Sequence, residues 1–353
     1  QSMIATKANR IVRAAQGRAV MEFGSRRAQG ADGAIYGARA AYIGGCCGTA
    51  CTICAPDFGV PALGTMAHSW VQLFDSELDA FRAYAREYPS NCTLLVDTFN
   101  VLKSGVPNAI KVFQEELLPR GYRPAGIRID SGDITYLSRK ARKMLDEAGF
   151  PDCKICASNS LDEYIIRDML MQGAKVDSFG VGERLITSGS EPVFGGVYKL
   201  AAIMDRHTGK FIPKIKLSEN TEKVTNPGNK TIQRIYDKET GKIIADLICL
   251  VDEEFDEKNS LLLFDPIETW KKTHLAPGTY TMRELLVPIF KNGKCVYESP
   301  KVMDIREYCK KEQETLWDES RRLVNPHEIH VDLSNELWHM KAQLLDSYHY
   351  TSN

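Results

Sequence analysis

The apolar positions of this chain follow two rhythms. From about residue 90 to residue 203, short apolar runs alternate with stretches whose apolar residues recur at helical spacing. That alternation predicts strands, each followed by a helix. Strands are predicted over residues 93–97, 125–130, 154–158 and 176–182. Helices are predicted over 108–118, with Ile110, Val112, Phe113, Leu117 and Leu118 on the apolar positions, and over 133–148 and 161–172. Gly149 and Gly173 stop the last two. Runs at 19–23, 41–44 and 62–65 extend the same rhythm backwards as earlier strands. Strand starts recur at roughly the length of a βα unit, about 30 residues. Such units serve an open doubly wound sheet as well as a barrel, and about seven of them without a clear reversal favour a parallel α/β barrel.

After about residue 204 the language becomes antiparallel. Turn residues at 205–210, at 238–242 and at Asn292-Gly293 separate short apolar stretches, the signature of hairpins. Amphipathic helices are predicted over 303–324 and 336–347, their charge runs read as solvated faces. The expected organisation is a catalytic α/β barrel over 11–203 and a second, smaller α+β domain over 204–353.

Composition narrows the partners. The 353 residues carry 45 Lys and Arg against 46 Asp and Glu, a net charge of −1. That balance excludes a phosphate-coating basic surface and hence nucleic acid as the main partner, while leaving room for a local anion pocket. Hydrophobic residues at 43% and charged residues at 26% suit a globular protein. No apolar run approaches the ~18 residues of a membrane span. The start, Gln1-Ser2-Met3, lacks a signal-peptide pattern, so a cytoplasmic protein with no membrane partner is expected. Ten cysteines include Cys46, Cys47, Cys51 and Cys54 close together, and Cys153 with Cys156. The adjacent pair breaks metal-ligand spacing, and free cysteine packs as a small hydrophobe, so no metal is expected on them.

Candidate chemistry gathers where the predicted strands end. Arg26 and Arg27 follow Phe23 between glycines, and a planar guanidinium suits a carboxylate or phosphate. His68, beside Ser69, follows a small-residue segment and offers a nucleophile or general base. Arg128 and Asp130 alternate onto one strand face. Asp130 and Asp133 offer ribose contacts, a Mg²⁺ site or stabilisation of positive charge at a sugar carbon, and Asp133 also reads as a helix cap. Ser158 and Asn159 enter one helix, and Gly180 and Gly182 form a second turn whose backbone N–H groups suit phosphate.

Taken in order, these segments resemble the nicotinate phosphoribosyltransferase family. The matching stretches are 22–30, 41–45, 64–70, 97–108, 126–133, 157–163, 179–187, 194–200, 216–218 and 223–228. The resemblance implies an irregular α/β barrel with a second domain, in a homodimer. It implies reaction of nicotinate with phosphoribosyl pyrophosphate, giving nicotinate mononucleotide and pyrophosphate with coupled ATP hydrolysis, in NAD synthesis. By motif position, Arg26 and Ser69 match the residues by the nicotinate carboxylate and Phe23 the one near the ring. His68 matches the phosphorylated histidine, and Arg128 the arginine near base and pyrophosphate. Asp130 and Asp133 match the acids near ribose and Mg²⁺. Ser158, Asn159, Gly180 and Gly182 match the 5′-phosphate loops. Two departures stand out: Glu183 occupies a place where many relatives carry Thr, and the chain begins after an upstream segment that family members carry. A hydroxyl at Ser69, rather than an acid, favours nicotinate over nicotinamide. The competing readings are a nicotinamide-using relative and a catalytically silent barrel that binds phosphoribosyl ligands or serves as a structural subunit.

Overall fold

A computed structural model describes residues 1–219, 223–268 and 270–349. The chain divides into two compact units. The first holds Gln1–Phe194 and Pro300–Lys310, and the second Gly195–Ser299 and Lys311–Asn353. The break thus falls at Phe194, not at residue 203, and a later segment returns to the first unit. Arg306 anchors that segment. Its guanidinium donates to the carbonyls of Tyr42, Cys46 (2.7 Å) and Gly45 (3.2 Å) and lies 4.3 Å from the Tyr42 ring centroid. These carbonyls end a helix, where a cation is favoured.

The first unit opens with α1 (Ser2–Ala14) and β1 (Ala19–Glu22). A 3₁₀ turn, Ser25–Arg27, leads to α2 (Gly30–Ile43) and β2 (Gly48–Thr49). Next come α3 (Cys54–Phe58), α4 (His68–Gln72), α5 (Glu77–Glu87) and β3 (Thr93–Leu95). The rest is regular: α6 (Val106–Val112), β4 (Gly126–Ile129), α7 (Ile134–Glu147), β5 (Lys154–Ser158), α8 (Glu163–Met171), β6 (Ser178–Val181) and α9 (Glu183–Ile186). All pairings in this sheet are parallel, in the order β2-β1-β6-β5-β4-β3. The last strand therefore lies beside the first, which is the cyclic order of an α/β barrel and not that of a doubly wound sheet. A parallel bridge from Thr49 to Ala62 extends the sheet past β2.

Three sequence expectations change here. Residues 41–44 are not a strand but the end of α2, because buried Ala38, Ala40 and Ala41 continue a helix that alanine favours. Residues 62–65 contribute only the bridge at Ala62. The helix expected at 108–118 starts earlier. Asn100 Oδ1 accepts from the Lys103 N–H at 2.8 Å, a π-turn (Val101–Gly105) runs straight into α6, and a second π-turn (Phe113–Leu117) continues it. Pro107, which has no N–H to donate, lies where the π-turn passes into α6. Gly105 lies so close to the strand that a Cβ there would stand 1.8 Å from the Val96 carbonyl oxygen.

The second unit starts with the hairpin β7 (Ala202–Met204) and β8 (Phe211–Pro213). Its main sheet uses β9 (Lys230–Asp237), β10 (Ile243–Leu250), β11 (Leu261–Phe264), β12 (Lys272–Leu275) and β13 (Tyr280–Glu284). A short hairpin, β14 (Phe290–Lys291) and β15 (Lys294–Cys295), turns at Asn292-Gly293 as the sequence predicts. Then follow α10 (Val302–Glu314), of which the part up to Lys310 belongs to the first unit, β16 (His330–Leu333) and α11 (Asn335–His349). Strand order is β12-β11-β16-β10-β9-β13, with Ile243, Ala245, Leu247 and Cys249 of β10 facing the core. The helix expected over 303–324 stops at Glu314. After it the Thr315 carbonyl accepts from the Ile243 N–H (2.9 Å), and the Trp317 indole N–H donates to the Ile243 carbonyl (2.6 Å), so the chain is taken up beside β10. β16, unforeseen in the sequence, pairs parallel with β10.

Candidate active site

The carboxyl ends of the parallel strands in the first unit enclose a cavity of about 530 Å³. Four arginines line it, Arg26, Arg27, Arg128 and Arg184, against two acids, Asp130 and Glu183. Phe23, Thr65, His68, Leu95, Ser158, Asn159, Gly180 and Gly182 are also in its wall.

Arg128, on β4, is held from several sides. Its Nε donates to Ser158 Oγ (2.9 Å) and its Nη1 to Thr65 Oγ1 (2.9 Å). Its Nη2 lies 3.2 Å from Asp130 Oδ1, and the guanidinium sits 5.4 Å from the Phe23 ring centroid. Ser158 in turn donates to the same Asp130 oxygen. Aromatic face and hydroxyls fix the plane of the guanidinium, so it is preorganised for an anion. The Phe23 ring owes its place to Gly180: a Cβ there would stand 2.5 Å from two ring carbons.

His68, the first residue of α4, has Nε2 3.1 Å from Asp97 Oδ1. Asp97 Oδ2 accepts from the Asp130 N–H (3.1 Å) and from Ser131 Oγ (2.6 Å). The carboxylate thus ties the end of β4 to the imidazole. Asn159 (φ 92°) and Ser160 (φ 49°) both hold left-handed backbone at the end of β5. Two such residues in sequence are strained, and strain of this kind gathers at binding sites. Asp162 caps α8 by accepting from the Tyr164 (3.0 Å) and Ile165 (2.9 Å) N–H groups, and pairs with Arg184.

Beneath the arginine loop lies Glu22, fully buried. It accepts from Thr49 Oγ1 (2.5 Å) and from the Gly24 N–H, so it holds the turn that carries Arg26. Burial raises its pKa above the ordinary carboxyl value, against the lowering effect of those two donors.

Of the residues singled out in the sequence, Phe23, Arg26, His68, Arg128, Asp130, Ser158, Asn159, Gly180 and Gly182 line this one cavity. Ser69 and Asp133 do not: Ser69 is exposed on α4, and Asp133 is the exposed N-cap of α7, accepting from the Tyr136 N–H at 3.0 Å. Sequence reasoning missed Thr65, Glu22 and the partnership of Asp97 with His68. In the sequence Asp97 is only the last residue of the strand predicted over 93–97. Among the described residues, no group of three or more His, Cys, Asp or Glu side chains is placed to hold a metal ion. Asp130 engages Ser158 and Arg128 through Oδ1, leaving Oδ2 as an oxygen for a cation that draws its other ligands from substrate and water.

A cationic, strand-end cavity with glycine turns and a carboxylate-oriented histidine defines an α/β protein whose site suits phosphorylated anions. Residues 18–239 match the nicotinate phosphoribosyltransferase (NAPRTase) family, and residues 229–341 match the nicotinate phosphoribosyltransferase C-terminal domain. Nicotinate phosphoribosyltransferase of Bacillus subtilis is 42% identical over 97% of this chain and 69% of its own length. The Dictyostelium discoideum nicotinate phosphoribosyltransferase is 34% identical over 96% of this chain, which spans 65% of that relative. The crystal structure of human nicotinic acid phosphoribosyltransferase superposes with a TM-score of 0.77 at 25% identity, over 97% of this chain and 74% of that one. Nicotinate-nucleotide pyrophosphorylase of Pyrococcus furiosus gives 0.65 at 27% identity, over 88% of this chain and 70% of that one. The chain belongs to the nicotinate phosphoribosyltransferase family.

Proposed function

We propose that this chain transfers a phosphoribosyl group from phosphoribosyl pyrophosphate to nicotinate, with coupled ATP hydrolysis, in NAD synthesis. The nicotinate ring nitrogen attacks the anomeric carbon. The bond from that carbon to pyrophosphate breaks, and nicotinate mononucleotide and pyrophosphate leave. The observation that carries this reading is the cavity in which Arg128, Asp130, Phe23 and His68 converge.

The residues divide the work by charge. Arg26 pairs with the nicotinate carboxylate and Phe23 packs on its ring. Arg128 neutralises the pyrophosphate as negative charge grows on it. Asp130, 22% exposed at its side chain, stabilises the positive charge that develops on the ribosyl carbon. The backbone around Asn159 and Gly182 takes the 5′-phosphate, and Asp133 remains a candidate for the ribose side. Mg²⁺ would be held by Asp130 and phosphate oxygens, supplying charge neutralisation.

His68 would take the phosphoryl group from ATP. A carboxylate only accepts hydrogen bonds, so Asp97 fixes the proton on Nε2 and leaves the lone pair on Nδ1. Nδ1 is then the nucleophile. On this reading the enzyme works as a cytoplasmic homodimer. Pyrophosphate release with nicotinate and with nicotinamide tests the proposal. Product with nicotinate, stimulated by ATP, is expected. No product with either base, or product with nicotinamide alone, would refute it.

A further inference from the structure

We infer that Cys51 and Cys54 form a redox-modification site: a vicinal dithiol that closes to an intramolecular disulfide and acts on the turn carrying Arg26. All ten cysteines are free thiols. Cys51 and Cys54 are the two that a turn brings together, since the Cys54 N–H donates to the Cys51 carbonyl at 3.0 Å. Residues so linked have Cα atoms less than about 7 Å apart, which is within disulfide reach. The Cys54 thiol donates to the Ile35 carbonyl at 3.5 Å, and both cysteines pack on the apolar cluster of Ala38, Tyr42 and Val60. The pair is asymmetric. Cys54 is fully buried, while Cys51 is half-buried beside exposed Thr52 and Ile53 and is open to an oxidant. Burial pushes the Cys54 thiol up to about 12, so Cys51 is the first to react.

The chemistry balances with a disulfide oxidant such as glutathione disulfide. The Cys51 thiolate attacks one glutathione sulfur, the glutathione S–S bond breaks, and one glutathione leaves with the proton Cys51 had lost. Cys54 then gives up its proton and attacks Cys51 Sγ, expelling the second glutathione as its thiol. Two electrons pass from the protein to the oxidant.

The disulfide is tied to the cavity by a short chain of bonds. The Cys51 N–H donates to Thr49 Oγ1 (2.9 Å), and Thr49 Oγ1 donates to Glu22 (2.5 Å). Glu22 accepts from the Gly24 N–H at the start of the arginine turn. Closing Cys51 onto Cys54 loosens the first of these bonds and with it the turn.

The test uses the full chain incubated with glutathione disulfide, read by intact mass, peptide mapping and hydrogen exchange. The expected result is a loss of two hydrogens, mapped to a Cys51–Cys54 link, reversed by dithiothreitol and abolished in Cys51→Ser and in Cys54→Ser. In Cys54→Ser a stable glutathione adduct on Cys51 is expected instead. Amide exchange over residues 23–27 is expected to rise on oxidation of the wild type and to stay unchanged in Cys51→Ser. A wild type that keeps both thiols, stops at a glutathione adduct on Cys51, or links a different pair overturns the site. A mapped Cys51–Cys54 link with unchanged exchange over 23–27 overturns its action on the turn. None of these readouts depends on the proposed reaction.

Discussion

Arg128 shows how little a net charge says about a single side chain. Phe23, Thr65, Ser158 and Asp130 surround it, and each fixes part of a planar fork. Lysine has the charge but not the plane, so Arg128→Lys is expected to lower kcat/KM by roughly tenfold or more, in line with losing one or two charge-assisted hydrogen bonds. Steady-state kinetics with both substrates checks this, and unchanged constants would count against the role. Glu22 makes a different prediction, about pH. Its folded pKa is raised, so the native state keeps the proton to higher pH than the unfolded chain. Its contribution to stability is then fully present below the ordinary carboxyl value of about 4.3 and declines as pH rises through the folded value. Glu22→Gln has no proton to lose. Its melting temperature, measured from acid to neutral pH, is expected to fall less steeply than that of the wild type. The sequence made Arg128 and Asp130 legible as one face because strands alternate. It gave no sign of Glu22's burial or of the Asp97–His68 pair, because both depend on segments distant in the chain that meet only in the folded unit.

Elements explain why two neighbouring aspartates differ. Asp130 directly follows β4 and lines the cavity, whereas Asp133 precedes α7 as its cap. Asp133→Ala is expected to cost about 1 kcal/mol of stability, and Asp133→Asn, still a good cap, to recover most of it. Denaturant unfolding of both variants measures the cap. A loss of turnover that persists in the Asn variant then belongs to the charge and not to the helix. Asp130→Asn is expected to lower turnover by about 10²-fold, as for removal of one preorganised electrostatic group. Element legibility follows the same logic. The strand at 154–158 and the helix capped by Asp133 carried strong local signals and lie where expected. β16 is short and half-exposed, and its pairing with β10 is set by distant contacts that no local pattern encodes.

For the whole molecule, the distribution of charge matters more than its total. The net charge of −1 leaves almost no long-range field to steer an anion. The cavity is different: four arginines against two acids give it a local positive balance. Arg27 and Glu183 face each other at 3.5 Å with both side chains more than half exposed, so salt screens that pair readily. Arg128 is only 16% exposed and is screened far less. Salt should therefore act on substrate capture through the exposed arginines and leave the bound complex largely alone. Rising ionic strength is expected to lower kcat/KM for phosphoribosyl pyrophosphate while kcat stays nearly level. Arg26→Gln and Arg27→Gln are each expected to flatten that dependence, and Arg139→Gln, on α7 and absent from the cavity wall, to leave it unchanged. Kinetics over a range of salt concentrations provides the check. A slope that responds equally to all three substitutions would assign the attraction to the surface as a whole and not to the cavity.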